Sequence, residues 1–212
     1  MCDHWKVPNA IQCGLATLGV LVGTVFVNLS TAGASVPASP PTQIRYVAAV
    51  DRSGGPLPLD HVVKIAHGGF CEDSALVPGH VYRCFLGNLV AEPCWHAVSQ
   101  SLPANTVLCL PRPWLHDVLE IEAGHLPPAP TYATDLSHPW GVELSDGQRC
   151  LEVNGAGGRF EGRPVDYGCT GTQNSLVGEA DRSGPVWTFQ SVTIKGSRIQ
   201  IGQTVGVRTA WF

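Results

Sequence analysis

The feature that most constrains this chain is a set of six cysteines, because each disulfide between them would tie two separate segments together. They are Cys71, Cys84, Cys94, Cys109, Cys150 and Cys169. An even number of cysteines in an exported chain favours disulfides, since nothing keeps thiols reduced outside the cytosol. Two further cysteines, Cys2 and Cys13, lie in the N-terminal segment.

That N-terminal segment has the pattern of an export signal. Residues 14–27 form an uncharged apolar run, and Ala32-Gly33-Ala34 fits the small-x-small motif of a signal-peptidase site. The sequence therefore predicts a signal peptide over residues 1–34 and a mature chain that is secreted or held in the cell envelope. The alternative is a retained membrane anchor, although the run is shorter than the ~20 apolar residues that a spanning helix needs.

Composition favours strands and turns over helices. The chain has 24 glycines and 17 prolines, which favours short strands joined by turns. Its formal net charge is −4, with no run of either sign, so neither nucleic acid nor an anionic membrane surface is a favoured partner. We predict a mainly β, disulfide-stabilised fold that contacts a membrane only if the N-terminal segment is retained.

Four regions follow the predicted signal peptide. Residues 35–43 are a Pro/Ser-rich spacer, 44–123 a cysteine-rich region of loops and strands, 124–139 a Pro-rich linker and 140–212 a β-rich module. In the last region the strands WGVEL and QRCLEV flank an Asp146-Gly147 turn, which predicts a hairpin. Further strand candidates at similar spacing predict an antiparallel meander or small barrel.

The spacing of the cysteines argues against a zinc site. Structural zinc sites use ligand pairs about two to four residues apart. Successive cysteines here are separated by 12, 9, 14, 40 and 18 residues, and the histidines are scattered singly. The sequence therefore predicts no metal ligand and no cofactor.

A catalytic reading of the sequence is weaker than a structural one. Cys94 and His96 flank Trp95, but a cysteine already in a disulfide cannot act as a nucleophile. The rival hypothesis is an extracellular hydrolase that uses His80 or His96 with Asp117, which requires these side chains to converge in one cleft.

Two other readings concern single segments. Asp117, Glu120 and Glu122 could form a glycosidase pair, but we interpret them as the solvated side of a strand. A loop at residues 86–93, braced by a disulfide, would suit an inhibitor of exported enzymes. We assign no catalytic residue.

Aromatic residues are the candidate ligand contacts. These are Trp95, Trp114, Trp140 and Trp187. Indole rings pack well beside disulfides in small β cores and also line ligand sites, so both readings stay open.

Several motifs together carry a resemblance. VYRCFLGN, EPCW, VLCLPRPW, DGQRC, VDYGC and the final VGVRTAWF occur in that order between Cys71 and Phe212. They resemble a family of uncharacterised exported proteins found mainly in actinobacteria, in which Asp-Pro-Cys is usual where Glu92-Pro93-Cys94 stands here. The resemblance implies secretion or envelope residence and supplies no catalytic residue.

The same order of elements implies a disulfide pairing. Six cysteines allow fifteen pairings, and the order favours Cys71–Cys84, Cys94–Cys109 and Cys150–Cys169. Cys71–Cys84 and Cys94–Cys109 each close a short loop, and each would stabilise the fold by about 3 kcal/mol because it restricts the unfolded chain.

The function predicted from the sequence is binding. We expect a disulfide-stabilised binding or structural protein whose partner is a cell-wall polymer, another exported protein or a small ligand. The hydrolase and inhibitor hypotheses remain the alternatives.

Overall fold

The computed structural model describes residues 39–58, 61–74, 76, 81–128, 138–153, 158–196 and 198–212, without the side chains of residues 63 and 64. Within these ranges all regular structure is β, which confirms the predicted fold class. The predicted signal peptide, His80 and most of the predicted Pro-rich linker lie outside the described residues.

The described residues form fourteen strands. In chain order these are β1 Gln43–Arg45, β2 His61–His67, β3 Phe70–Asp73, β4 Val81–Leu86, β5 Leu89–His96, β6 Thr106–Cys109, β7 Asp117–Glu122, β8 Gly141–Leu144, β9 Arg149–Glu152, β10 Arg159–Phe160, β11 Arg163–Cys169, β12 Asn174–Asp181, β13 Thr188–Lys195 and β14 Arg198–Trp211. They divide into two sheets.

The first sheet contains the cysteine-rich region. Its strand order is β2-β7-β6-β5-β4-β3. Neighbouring strands are antiparallel except β2 and β7, which run parallel. The segment DVLEIE, whose acidic residues we interpreted as the solvated side of a strand, is observed as β7, with Val118, Leu119 and Ile121 buried.

The second sheet closes into a six-stranded barrel. Strands β8, β9, β11, β12, β13 and β14 pair in sequence, and β14 pairs with β8 to complete the circle. The predicted hairpin is β8–β9, where the Gly147 N–H donates to Leu144 O at 2.9 Å and Gly147 has a φ of 88°. That positive φ is why glycine suits the turn.

One pairing crosses the predicted regions. β1 lies beside β14 in parallel, with Gln43 opposite Thr209 and Arg45 opposite Trp211. The chain between the predicted spacer and the cysteine-rich region is thus attached to the barrel at the other end of the sequence.

Apolar side chains join the two sheets. One cluster contains Val81, Trp95, Leu108 and Val118 of the first sheet together with Trp140, and Leu151 of β9 packs against it. We call this contact layer the seam. A second cluster, which contains Cys71, Cys84, Cys94 and Cys109, lies within the first sheet, and a third, which contains Cys150 and Tyr167, lies within the barrel.

Candidate ligand-binding site

Glu92 is a buried, fixed negative charge beside the seam. It lies on β5 opposite a register irregularity in the β4–β5 pairing, and its side chain has no solvent exposure. Ser74 Oγ donates to Glu92 Oε1 at 2.6 Å, and Arg83 Nε donates to Glu92 Oε2 at 2.5 Å. Such charge-assisted hydrogen bonds hold a buried carboxyl group in one place.

Trp140 and Glu152 are neighbours on the barrel side of the seam. The Glu152 N–H donates to Trp140 O at 3.0 Å, which continues the pairing of β8 with β9 by one residue. Cross-strand neighbours have Cβ atoms roughly 4.5–5.5 Å apart. The two side chains therefore start from adjacent points on the sheet.

Both side chains carry a buried polar atom without a hydrogen-bond partner among the described residues. These atoms are Trp140 Nε1 and Glu152 Oε2. Trp140 is only 2% exposed. Leaving a buried donor or acceptor unsatisfied costs about 1–3 kcal/mol, so each such atom requires an explanation.

The surroundings of Glu152 favour its neutral form. Burial is the main cause that raises the pKa of Glu152 to about 7, followed by the negative charges of Glu92 and Asp166, while Arg83 lowers it slightly. The carboxyl group of Glu152 is therefore divided between its neutral and ionised forms near neutral pH.

Tyr167 lies opposite Glu152 on the neighbouring strand. It pairs with Glu152 across β9 and β11, and its hydroxyl donates to Pro139 O at 2.6 Å. Burial, followed by the charge of Glu152, raises the pKa of Tyr167. Its phenol is thus neutral and held in place by its bond to Pro139.

Glu92, Trp140 and Glu152 border a cavity of about 310 Å³, which we call the seam cavity. It is lined by Leu76, Val90, Glu92, Pro111, Trp140, Leu151 and Glu152, and the side chain of Glu92 is buried behind its surface. Apolar walls with a few polar groups are typical of small-ligand sites, and this volume is at the lower end of their range.

Glu152 also lines a second cavity at the edge of the barrel. That cavity is about 290 Å³ and includes His138, Arg163, Asp166 and Glu179. Burial raises the pKa of Asp166, and His138 Nε2 lies 3.1 Å from Glu179 Oε1. The second cavity thus has more charged residues in its lining than the seam cavity.

A depression of about 450 Å³ lies beside Asp51 and His96, but the polar groups of these two residues are already engaged in hydrogen bonds. Asp51 Oδ1 accepts hydrogen bonds from Ser53 and Gly55. His96 Nε2 bonds Ala104 O at 2.9 Å. Because these polar groups already have partners in the protein, we place the candidate site in the seam cavity.

Of the four tryptophans predicted as ligand contacts, Trp140 lines the seam cavity. Trp95 is buried in the seam and borders the larger depression. Trp114 packs against Trp211, with ring centroids 5.4 Å apart. The guanidinium carbon of Arg182 lies 4.4 Å from the centroid of the Trp187 ring.

The cysteines form three disulfides in the predicted pairing. Cys71–Cys84, Cys94–Cys109 and Cys150–Cys169 each join directly opposed strand residues. The sulfurs of Cys84, Cys94 and Cys109 lie within 4.8 Å of one another. Because all three are in disulfides, none is a thiolate that could bind a metal ion or attack a substrate.

The groups required by the hydrolase hypothesis do not converge among the described residues. His96 of β5 pairs with Val107 of β6, which in turn pairs with Ile121 of β7. Asp117 lies four residues before Ile121, or about 13 Å along the strand, and its carboxylate is 3.5 Å from Arg112 Nη2.

The acidic residues of β7 and the 86–93 segment lie in regular β structure. Asp117, Glu120 and Glu122 are each partly exposed beside buried neighbours. Glu122 Oε2 lies 2.9 Å from His67 Nδ1. Residues 86–93 comprise the last residue of β4, the turn and the first five residues of β5.

Sequence reasoning missed the two glutamates of the site. Glu92 is the single charged residue in LVAEPCW, and a lone charge inside an apolar run is a sign of a buried, paired group. The sequence around Glu152 gives no comparable signal, because polar and apolar residues in QRCLEV alternate as in any half-buried strand.

Comparison with known proteins does not assign the chain to a family. No family profile, curated protein or solved structure matches the chain. Across the described residues, no helix has the length and apolar character needed to cross a membrane. The fold and the disulfides define a disulfide-stabilised, all-β protein.

Proposed function

We propose that this protein is an extracytoplasmic binding protein and that its ligand occupies the seam cavity. Three disulfides suggest an oxidising environment, since cytosolic proteins rarely keep them. Secretion or envelope residence, and membership of the actinobacterial family that the motifs resemble, are part of this proposal.

The observation that carries the binding proposal is the pair of unsatisfied atoms at one cavity. Trp140 Nε1 needs an acceptor, and Glu152 Oε2 needs a partner in either protonation state. Both belong to side chains that line the seam cavity. Both atoms are themselves buried, so a ligand must shift one of these side chains to bond its unsatisfied atom, and that bond would recover the free energy that the burial costs.

A hydrolase is less well supported at the same place. A pair of carboxyl groups with one raised pKa is the pattern of an acid–base pair. However, both oxygens of Glu92 already accept hydrogen bonds, and its side chain has no exposure. Glu92 is therefore suited to set the charge of the site and not to attack a substrate.

The proposal is tested by ligand-observed NMR with the disulfide-bonded protein. A panel of small saccharides, amines, carboxylates and amides is screened against wild type, Trp140→Phe and Trp114→Phe. Trp140→Phe keeps an aromatic ring but removes Nε1, whereas Trp114 does not line the cavity. We expect compounds that bind wild type and Trp114→Phe, with at least about fivefold weaker binding to Trp140→Phe.

Two results would contradict the binding proposal. The first is the absence of any binding compound in the panel. The second is a set of compounds that bind Trp140→Phe as well as wild type. Thermal unfolding of both variants shows whether each is folded under the screening conditions.

A further inference from the structure

An arginine in the turn that ends β12 lies against aromatic rings. The turn is DRSG, residues 181–184, and the Ser183 N–H donates to Asp181 Oδ1 at 2.9 Å. The guanidinium carbon of Arg182 lies 4.4 Å from the centroid of the Trp187 ring and 6.0 Å from that of Phe212. Because the face of an aromatic ring attracts a cation, these contacts hold the guanidinium in one place.

Arg182 is a cation without an acidic partner in the part of the chain that the structure describes. The two carboxylates nearest to it in sequence have other partners, since Asp181 accepts from Ser183 and Glu179 lies 3.1 Å from His138 Nε2. Arg182 is exposed and makes no hydrogen bond with another described residue. Its N–H donors are therefore available to a ligand.

Tyr46 presents an exposed ring beside the same Phe212. Tyr46 is 70% exposed, whereas Phe212 is buried. The centroids of these two rings are 5.8 Å apart. The guanidinium carbon of Arg182 and the ring centroid of Tyr46 are therefore no farther apart than the sum of their two distances to Phe212, so one short ligand can contact both.

Hydrogen bonds of the backbone fix these side chains relative to each other. The residues on either side of the exposed tyrosine both bond Phe212: its N–H donates to Arg45 O at 2.9 Å, and the Val47 N–H donates to Phe212 O at 3.0 Å. The Trp187 N–H donates to Thr42 Oγ1 at 2.8 Å. Binding to this surface thus requires little rearrangement of the backbone, which favours affinity.

We propose that Arg182 and Tyr46 bind an acidic saccharide, at a surface separate from the seam cavity. The carboxylate of the saccharide accepts hydrogen bonds from Arg182, whose planar guanidinium matches a carboxylate with two parallel N–H groups. A sugar ring packs its C–H groups on Tyr46, because the face of an aromatic ring is its negative part. The unpartnered cation favours an acidic ligand, and the exposed ring face favours a saccharide over an acidic peptide.

Two disaccharides that differ in one group test the charge. Cellobiouronic acid has a carboxylate where cellobiose has a hydroxymethyl group. NMR titration of the isotope-labelled, disulfide-bonded protein should show that cellobiouronic acid binds at least about fivefold more tightly at low ionic strength. The indole N–H signal of Trp187 should shift on binding, since its ring lies against Arg182. Added salt should reduce the preference, because Arg182 is exposed to solvent.

Matched variants assign the effect to Arg182. Arg182→Gln should weaken the binding of cellobiouronic acid about fivefold and remove the preference over cellobiose. Arg52→Gln is the control, because Arg52 holds the same position in an identical DRSG turn, residues 51–54, with the same Asp–Ser hydrogen bond. No ring among the described residues lies under Arg52, so its substitution should leave the affinity close to that of wild type. Tyr46→Ala should weaken the binding of both disaccharides several-fold.

The outcomes separate this inference from the seam-cavity proposal. Equal binding of the two disaccharides, no binding of cellobiouronic acid, or an unchanged preference in Arg182→Gln would each overturn the inference. Glutamate with blocked amino and α-carboxyl groups supplies the charge without a sugar ring. If it binds as tightly as cellobiouronic acid, the surface recognises an acidic peptide instead. Binding that Trp140→Phe loses and Arg182→Gln keeps would contradict this inference and support the seam cavity as the binding site.

Discussion

At the scale of single residues, Glu152 is the most informative group in the protein. Its carboxyl group is partly buried, has one oxygen without a partner, and lies near two other carboxyl groups. These conditions disfavour the ionised form in the folded state but not in the unfolded chain. Folding therefore raises the pKa of Glu152 from 4.5 to about 7.

This pKa difference links stability to pH. The folded protein holds the Glu152 proton more tightly, so its contribution to stability is complete below about pH 4.5 and is lost as pH rises to about 7. The loss is about 3 kcal/mol at most. We expect Glu152→Gln to be more stable than wild type at pH 8, with a difference that shrinks toward pH 5. Urea unfolding of both proteins over this pH range measures the difference in their free energies of unfolding.

Glu179→Gln is the control for that comparison. Its side chain is 74% exposed, so its substitution should leave the pH dependence of unfolding close to that of wild type. A wild type that becomes more stable between pH 5 and pH 7 relative to Glu152→Gln would contradict the assignment of Glu152 as a neutral buried acid.

The sequence could identify only part of this site. Trp140 is a candidate from sequence because indole rings line ligand sites as well as packing in small β cores. Glu92 and Glu152 are 60 positions apart in the chain, and their proximity depends on how the first sheet packs against the barrel. No local pattern encodes that packing, so neither glutamate could be assigned a role from sequence.

At the scale of elements, the first sheet carries two adjacent disulfides. Cys71–Cys84 joins β3 to β4, and Cys94–Cys109 joins β5 to β6. The sulfur of Cys84 lies within 4.8 Å of both sulfurs of the second bond. A thiolate at Cys84 would therefore be within reach of an intact disulfide, which is the requirement for exchange.

This proximity predicts a disulfide rearrangement in Cys71→Ser. The freed Cys84 thiolate attacks the Cys94–Cys109 bond, so that one new disulfide forms, the old one breaks, and the displaced sulfur leaves as a thiolate that takes up a proton. Peptide mapping after thiol blocking should find Cys84 bonded to Cys94 or Cys109 in a substantial fraction of the protein.

Cys150→Ser is the matched control. Among the described residues, the sulfurs of the third disulfide are not part of the close cluster, so Cys169 should remain a single free thiol. Retention of an unchanged Cys94–Cys109 bond in Cys71→Ser, at a pH where thiolates form, would show that the sulfurs are not free to react.

Local elements were the part of the fold that sequence predicted best. The Asp146-Gly147 turn and the alternation in β7 specify their structure within a few residues. The parallel pairings were not predicted, because β1 with β14 and β2 with β7 join segments far apart in the chain. Such pairings depend on packing and have no turn to mark them.

At the scale of the whole molecule, the seam makes the first sheet and the barrel dependent on each other. Trp140 is buried in a cluster with Trp95, Leu108 and Val118 of the first sheet. It directly precedes β8, so its backbone belongs to the barrel and its side chain to the shared core. The sequence predicted a boundary near this position, and the structure shows that apolar contacts cross it.

A shared core predicts that both sheets unfold in one cooperative transition. Trp140→Ala removes the more deeply buried of the two tryptophans in the seam and should lower the free energy of unfolding by about 3–5 kcal/mol. Hydrogen exchange followed by mass spectrometry reports each sheet separately, through peptides that cover β4–β5 and β11–β12.

Both sets of peptides should lose protection by the same amount in Trp140→Ala, because the seam stabilises the sheets jointly. Ile201→Ala is the control, since Ile201 is 61% exposed on β14 and its truncation should change protection little. A loss confined to β11–β12 would mean that the barrel opens alone, and the seam cavity would then lie between two independently stable parts instead of inside one cooperative unit.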